Sequence, residues 1–315
     1  MSYLVTGGAG FIGSYVVRGL LKKEENVVVY DLTPEENSIQ QILTKQELNQ
    51  IVMIKGDVVD IIQLMNIIKE YEVKKIIHLA YLLIPDSNRN PSLAVKVNCQ
   101  GFNNVLEAAR VLELKKVVWA SSAAVFGPPE YYTDEYLADD APHHPVSVYG
   151  ACKSLNEYMA SYYFDKFKVD NVGLRFTAVY GLGRIRGASA FATELIEKPA
   201  LGKPAKVPCG DDTIDWQYVE DASKAILLAI KSKKTKTRIF NTRGDLRSIK
   251  EAAKYIQRLI PGADVTLKPG KFGIIWKYKT RRIEQELGFK PEYSMEKGIK
   301  KTVNILRQKA DLPLI

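Results

Sequence analysis

The stretch Thr6-Gly-Gly-Ala-Gly-Phe-Ile-Gly13 follows the apolar run Tyr3-Leu4-Val5 and opens a helical pattern. Its glycines fall where a chain leaving a strand must turn tightly, approach a phosphate closely and let the next helix pack on the strand. An acidic residue, Asp31, comes 18 residues after Gly13, at the end of a second β-branched run, Val27–Tyr30. A carboxylate at that spacing and strand end can accept hydrogen bonds from ribose hydroxyls. Strand, glycine turn, helix, strand and acid together specify the first unit of a parallel sheet.

Outward from this unit, short β-branched runs keep alternating with longer helical patterns, the signature of βαβ construction. Strands are expected at Tyr3–Thr6, Val27–Tyr30, Val52–Lys55, Lys75–Leu79, Lys116–Ala120 and Asn171–Phe176, with long helices over Ser92–Val111 and Val148–Phe167. Several strands are apolar almost throughout, as strands covered on both faces are. The fold class is therefore α/β: a Rossmann-type, doubly wound parallel sheet with a smaller C-terminal substrate domain. After about residue 180 the pattern shortens and is broken by Gly181, Gly183, Gly187, Pro199, Gly202, Pro204, Pro208 and Gly210. Residues 1–178 are read as the dinucleotide-binding domain, with return segments near 213–245, and 179–315 as the substrate-binding domain. The basic run Lys231–Arg238 reads as a solvated turn.

The cofactor follows from the acid. Asp31 would repel a 2′-phosphate, and Leu32, Thr33 and Pro34 offer no cation to hold one, so NAD is expected rather than NADP.

Composition agrees with a single globular enzyme. The 315 residues are 46% hydrophobic and 26% charged, which excludes disordered and fibrous classes. The net charge of +9 is spread along the chain, which suits an anionic small molecule better than nucleic acid. Cys99, Cys152 and Cys209 form no CxxC pair, which argues against a disulfide framework and a cysteine-rich zinc site. His143 and His144 are loop histidines, and no metal is expected. Met1 leads directly into a strand with no signal peptide, and no apolar stretch approaches the ~20 residues of a membrane span. A cytoplasmic protein without a membrane anchor is expected.

Reactive groups gather on two elements. Tyr149 and Lys153 lie four apart on one helix face, where a neighbouring ammonium can stabilise a phenolate and make tyrosine a usable base. Ser121 and Ser122 end the fifth expected strand, at the carboxyl edge where open α/β sheets bind ligands.

These residues sit within a longer series: Gly56-Asp57-Val58, His78-Leu-Ala80, Val97-Asn98, Ser121-Ser-Ala-Ala-Val-Phe-Gly127, Tyr149-Gly-Ala-Cys-Lys153, Leu174-Arg-Phe176 and Val179-Tyr-Gly181, with Trp216-Gln-Tyr-Val-Glu-Asp221 and Glu286-Leu-Gly-Phe-Lys-Pro291 later on. Over nearly the whole chain this series resembles the extended short-chain dehydrogenases/reductases, specifically the NAD-dependent nucleotide-sugar epimerase/dehydratase family. The resemblance implies that Tyr149 is the catalytic base and acid, that Lys153 holds the nicotinamide ribose, and that Ser122 hydrogen-bonds the reacting hydroxyl, with Asn98 supporting them. It also implies a cofactor site of Gly7, Gly10, Phe11, Ile12, Gly13, Asp31 and Leu32, with Asp57 and Val58 at the adenine. Leu79, Ala80 and Tyr81 would line the pyrophosphate and nicotinamide, and Phe176 would begin a loop closing over them. Thr177, Ala178, Arg184 and Trp216 are the candidate substrate contacts.

Ala123 and Ala124 stand where dehydratases of the family carry an Asp-Glu pair and where 3,5-epimerase/reductases use a Cys at the second position. What remains is the pattern of a UDP-glucose/UDP-galactose 4-epimerase: Tyr-assisted hydride transfer to NAD, a 4-keto intermediate, and hydride return. The chain departs from that pattern at Ala178, at Ile214 before Asp215-Trp216, and at Lys279-Thr-Arg-Arg282. Arg184, Arg186, Arg281 and Arg282 are available as replacement phosphate contacts. The departures keep a second reading open, an NAD-dependent dehydrogenase of a non-nucleotide sugar, sugar acid or amino-acid-derived alcohol. A third reading, a non-catalytic NAD sensor, is opposed by intact Ser122, Tyr149 and Lys153. The resemblance further implies a homodimer made by the two long helices around Gly101–Val111 and Leu155–Phe167, using Phe102, Val105, Met159, Tyr162 and Tyr163.

Overall fold

In a computed structural model describing residues 1–34, 38–233 and 235–315, the alternating runs form the expected strands β1 (Ser2–Thr6), β2 (Asn26–Asp31), β3 (Val52–Lys55), β4 (Lys75–His78), β5 (Lys116–Ser122) and β6 (Asn171–Phe176). The later strands are β7 (Ala178–Tyr180), β8 (Ala205–Val207), β9 (Thr213–Tyr218), β10 (Ile239–Asn241), β11 (Asp245–Ser248) and β12 (Val265–Leu267). The main sheet is parallel, with order β10-β6-β5-β4-β1-β2-β3. The chain runs outward from β1 through β2 to β3, then returns to place β4 on the other side of β1. That reversal opens a crevice at the carboxyl ends of β1 and β4, where the glycine turn lies.

Both faces of the sheet are covered. Val5, Val29, Ile77, Val118 and Leu174 point into one apolar core with the C-terminal elements, while Leu4, Val28, Ile76, Val117 and Trp119 point into a second beneath the long helices. Alternate residues thus serve opposite faces, which accounts for strands that read as unbroken apolar runs.

The expected return of the chain to the main sheet occurs at β10, which adds beside β6 with Ile239 opposite Gly173. A three-stranded sheet, β11-β9-β7, carries the edge of the crevice away from the main sheet. The run Lys231–Arg238 is not simply solvated, although Lys234 lies outside the described residues. Arg238 is buried, paired with Asp170 at 2.6 Å and stacked on Phe164.

The long helix expected over Ser92–Val111 is continuous in direction but changes character: Pro91–Ala94 and Gly101–Val111 are α-helical, and Val95–Gln100 between them is a π-helical turn. Such a turn widens the backbone ring and leaves carbonyls poorly partnered. Here the Asn98 carbonyl accepts Nδ2 of Asn156 from the facing helix at 2.8 Å. The Val148–Phe167 helix is capped by Ser147, whose hydroxyl accepts the Gly150 N–H at 3.0 Å.

Of the apolar positions expected at a dimer face, Phe102, Val105 and Tyr163 are instead in the core beneath the sheet. They occupy the helix face turned inward, and heptad-like spacing alone does not say which face that is. The exposed apolar row is Leu155, Tyr158 and Tyr162, near Val111 and Phe167.

Candidate active site

A single cavity at the carboxyl ends of the strands gathers most of the expected residues. Gly7, Gly10, Phe11, Ile12 and Gly13 form one wall, Leu79 and Tyr81 another, and Ser122, Tyr149, Phe176, Thr177, Ala178 and Arg184 the remainder. Gly7 has φ +69, and a Cβ there would lie 2.6 Å from the Ala80 nitrogen and 2.7 Å from the Leu79 carbonyl carbon. A Cβ on Gly13 would lie 2.3 Å from the Gly7 oxygen, so the first helical turn seats directly on the loop. The Phe11–Leu21 helix has no side-chain cap and no acidic residue in its first turn. Its positive end therefore faces the cavity uncompensated, an electrostatic setting suited to phosphate.

Asp31 closes this wall from the end of β2, its carboxylate accepting N–H groups of Ala9 at 3.1 Å and Thr33 at 3.2 Å. Burial raises its pKa, against the pull of those amides. Asp57 and Val58 lie beyond β3 and do not line the cavity. Asp57 caps its own turn through Val59, and Val58 packs in the core. Leu32 is 60% exposed.

Tyr149 is buried, and burial pushes its phenol up to about 12 while Ser122 and the Arg184 charge pull it down. This differs from the expectation that Lys153 would do the lowering. The Lys153 ammonium donates to the Ala120 carbonyl at 2.5 Å and lies over the Tyr81 ring, 5.4 Å from the Tyr149 ring centre. Desolvation lowers its own pKa well below the ordinary lysine value. Lys153 thus stands behind the cavity wall, ready to interact with a group that enters. Asn98 is also behind the wall: Oδ1 accepts the Leu82 N–H at 2.8 Å and Nδ2 donates to the Leu82 carbonyl at 3.0 Å, fixing the loop after β4.

Beneath Ser122 lies a buried charged network. Glu157, one helical turn after Lys153, accepts Ser121 Oγ at 2.5 Å, Arg175 Nε at 2.8 Å and Nη2 at 2.6 Å, with His143 at 3.2 Å. Desolvation works to raise the Glu157 pKa, but the Arg175 guanidinium and His143 hold it down at about 2. Because Ser121 and Ser122 are adjacent, this anchor fixes the end of β5 on which Ser122 is presented.

Two buried polar atoms in the cavity have no partner among the described residues, Tyr81 Oη and Arg184 Nε. Arg184 also makes no ion pair among them, although burial pulls its pKa only to about 10 and it stays charged at neutral pH. An enclosed guanidinium without a carboxylate calls for an anionic ligand. Arg186 lines the same cavity, whereas Arg282 is engaged with Asp140 at 2.7 Å and Arg281 lies outside the cavity lining.

Trp216 corrects an expectation. It is fully buried in the small sheet, its Nε1 donating to the Arg247 carbonyl at 3.0 Å and its ring edge-on to Tyr180 at 5.4 Å, so it cannot stack on a substrate base. An aromatic in a strand reads alike whether it faces a core or a cavity. Conversely, the sequence reading missed Leu83, Ile84, Ile185 and Phe191, and the wall made by Phe272, Ile274 and Trp276. These last three come from a segment of little regular structure between the motifs that end at Asp221 and begin at Glu286, and no local pattern marks them.

Comparison with known proteins follows this geometry. A model of the NAD dependent epimerase/dehydratase family matches residues 3–242. The chain belongs to that family. It is 29% identical to a UDP-glucose 4-epimerase of Mycolicibacterium smegmatis, covering 98% of this chain and 100% of the relative. The structure of a Thermus thermophilus UDP-glucose 4-epimerase in complex with NAD superposes with TM-score 0.83 at 27% identity, covering 98% and 99% of the two chains. An L-threonine dehydrogenase of Clostridium difficile superposes with TM-score 0.83 at 25% identity, covering 98% of each chain. As a family member the protein is an NAD-dependent enzyme of the epimerase/dehydrogenase kind, an extended short-chain dehydrogenase/reductase. The residues present fit NAD: the close-approach glycines and the uncompensated helix end form one wall of the cavity, and the unpartnered Tyr81 hydroxyl lies in another. Among the described residues, no helix is long and apolar enough to cross a membrane, and no cluster of three or more His, Cys, Asp or Glu residues is placed to hold a metal ion.

Proposed function

We propose that the protein is a nucleotide-sugar 4-epimerase acting on a UDP-hexose. The observation that carries this reading is the enclosed Arg184 guanidinium, without a carboxylate partner among the described residues, in the same cavity as Ser122 and Tyr149. A diphosphate-bearing substrate supplies the anion that this site lacks, and the 29% identical epimerase supports that substrate class.

NAD, held by the Gly7–Gly13 loop, Asp31, Tyr81 and Lys153, supplies the hydride acceptor and donor. The protein's own part is proton handling. Tyr149 takes the proton from the sugar hydroxyl and later returns it. Ser122 hydrogen-bonds the same oxygen, which keeps it aligned in both the hydroxyl and ketone states. Burial holds the tyrosine up to about 12, and the Ser122 hydrogen bond and the Arg184 charge are what pull it back toward use as a base. Thr177 and Ala178 line the same cavity as Tyr149, in which the ring would have to turn to present its other face.

The reading is tested by a proton NMR time course with UDP-galactose and no added cofactor. Growth of the UDP-glucose anomeric signal to equilibrium, abolished by Tyr149→Phe, is the expected result. A preparation that holds NAD yet leaves UDP-galactose unchanged would sink it. The second reading, a dehydrogenase of a non-nucleotide hydroxy compound, is favoured by the similarity to an L-threonine dehydrogenase and by Ala178 and Ile214. It requires net NADH formation with such a compound. The exposed row Leu155, Tyr158 and Tyr162 further supports a homodimer formed through the Val148–Phe167 helix.

A further inference from the structure

Lys153 is buried, and among the described residues its ammonium makes no ion pair and has one hydrogen-bond acceptor, the Ala120 carbonyl at 2.5 Å. Glu157, one turn further along the helix, is committed to Ser121, Arg175 and His143. The ammonium's other close neighbour is an aromatic face. Its Nζ lies 2.7 Å from the centre of the Tyr81 ring, against 5.4 Å from that of Tyr149. Tyr81 lines the cavity and Lys153 does not, so the phenol is the part of this pair that an entering ligand meets first.

The ring is itself held from behind. The next residue, Leu82, exchanges two hydrogen bonds with the Asn98 side chain, at 2.8 and 3.0 Å, which pins the backbone after β4. The ring packs edge-on against His78 at 4.5 Å, and His78 in turn stacks on Phe102 at 5.6 Å, with its Nδ1 2.7 Å from Thr6 Oγ1. Burial keeps His78 well below its ordinary pKa, so it is neutral and brings no second cation to the cluster. The Tyr81 hydroxyl, by contrast, is buried in the cavity wall with no partner among the described residues. An enclosed hydroxyl without a partner is unfavourable until a ligand supplies one. The proton handling by Tyr149 and Ser122 makes no use of this second phenol.

We infer that Tyr81 is a positioning residue with two parts: its ring face holds the Lys153 ammonium charged at the edge of the cavity, and its hydroxyl hydrogen-bonds the bound cofactor. The inference rests on the reading of Lys153 as a contact of NAD. An aromatic face carries the negative lobe of the ring quadrupole and attracts a desolvated cation without supplying a counter-charge. A carboxylate in the same place would engage the ammonium outright and compete with the ligand for it, whereas the ring leaves N–H groups to donate when the cofactor arrives. Desolvation pulls the Lys153 pKa well below the ordinary lysine value, which makes its charge sensitive to what faces it. The titratable groups around it are Tyr149, Cys152 and Glu157 on its own helix, Cys99 on the π-helical turn, and His78 and Tyr81 from β4 and the loop after it. Removing the ring face takes away a contact that favours the charged form, so Lys153 loses its proton at a lower pH and NAD affinity starts to fall at a lower pH.

The test is the pH dependence of NAD affinity, measured by calorimetry on the full chain from about pH 6 to about pH 9.5. It compares wild type, Tyr81→Phe, Tyr81→Leu, and protein carrying 3,4,5-trifluorophenylalanine at position 81. The fluorinated ring keeps the shape of phenylalanine but weakens its negative face, so the electrostatic part is read without depending on the folding of the leucine variant. Tyr81→Phe should bind NAD roughly 3- to 10-fold more weakly at every pH with the midpoint unmoved, as loss of one hydrogen bond predicts. Tyr81→Leu and the fluorinated ring should move the midpoint down by roughly one pH unit. Lys153→Met should flatten the profile. A midpoint that fluorination leaves in place, a Tyr81→Phe midpoint that moves as far as that of Tyr81→Leu, or Tyr81→Phe affinity within about twofold of wild type would each overturn the inference. A Lys153→Met profile like that of wild type would defeat the cofactor role of Lys153 and the inference with it, whereas a flattened one beside unmoved Tyr81 variants would defeat the inference alone. No sugar substrate enters the measurement, so it stands apart from the epimerase reading.

Discussion

Glu157→Gln is the change whose size the structure sets most directly. The carboxylate is 4% exposed and accepts from Ser121, twice from Arg175, and from His143. Its pKa falls from an ordinary 4.5 to about 2. At about 1.36 kcal/mol per unit this is roughly 3 kcal/mol of native-state stability at neutral pH. A glutamine keeps the volume but removes the charge, turns an amide toward the Arg175 guanidinium, and leaves that cation buried without its partner. For 315 residues unfolding at about 2.1 cal/mol/K per residue, the loss lowers the melting temperature by roughly 5 °C. The pH dependence has a definite sign. The folded pKa lies below the unfolded one, so the contribution is fully present above about 4.5 and is lost as pH falls through 2, with less than half of it left at pH 3. Urea unfolding of both proteins at pH 7, 4 and 3, followed by tryptophan fluorescence, measures the difference. A gap below about 1 kcal/mol at pH 7, or one that stays constant down to pH 3, would refute the reasoning. Because Glu157 also anchors Ser121 beside Ser122, turnover should fall more than substrate affinity in the same variant.

Gly7→Ala places a Cβ 2.6–2.8 Å from three backbone atoms at φ +69, so NAD binding by calorimetry should weaken at least ~10-fold, and unchanged affinity would show that the loop is not the cofactor wall. Asp215, whose Oδ1 accepts the Gly244 N–H at 2.9 Å while Oδ2 has no partner among the described residues, is pushed up to about 7 by burial. With the folded pKa above the unfolded one, its contribution is fully present below about 4 and drains away as pH rises through 7. Asp215→Asn should therefore remove a loss of roughly 2–3 kcal/mol between pH 5 and 8, and parallel pH profiles of the two proteins would contradict this. Sedimentation should give twice 35.4 kDa for the wild type and 35.4 kDa for Leu155→Glu with Tyr162→Glu, and a wild-type monomer would end the dimer proposal.

Local signals carried the fold and the cofactor. The glycine turn and Asp31 are read within a single βαβ unit, because a close backbone approach and a strand-end carboxylate depend only on residues a few positions apart. The period of apolar residues placed β1 to β6 within a residue or two, since strands such as β1, β2 and β6, buried on both faces, leave an apolar run, while β3 at the sheet edge is largely exposed. The close approaches at Gly7 and Gly13 were legible for the same reason, whereas Tyr149 and Ser122 were singled out by the motif series they belong to.

Orientation and distant partners were decided only by tertiary structure. Whether Trp216 faces a core or a cavity, and whether Phe102 or Leu155 is the outward residue of its helix, depends on what packs against the element. The Phe272–Trp276 wall and the Glu157–Arg175 anchor join residues 18 to more than 90 positions apart. So too with Arg184: its sequence shows a cation, while the absence of a carboxylate beside it among the described residues exists only once the chain has closed around it. Periodicity records which surface of an element is apolar; the burial and pairing of a particular group are set by neighbours that the chain brings from elsewhere.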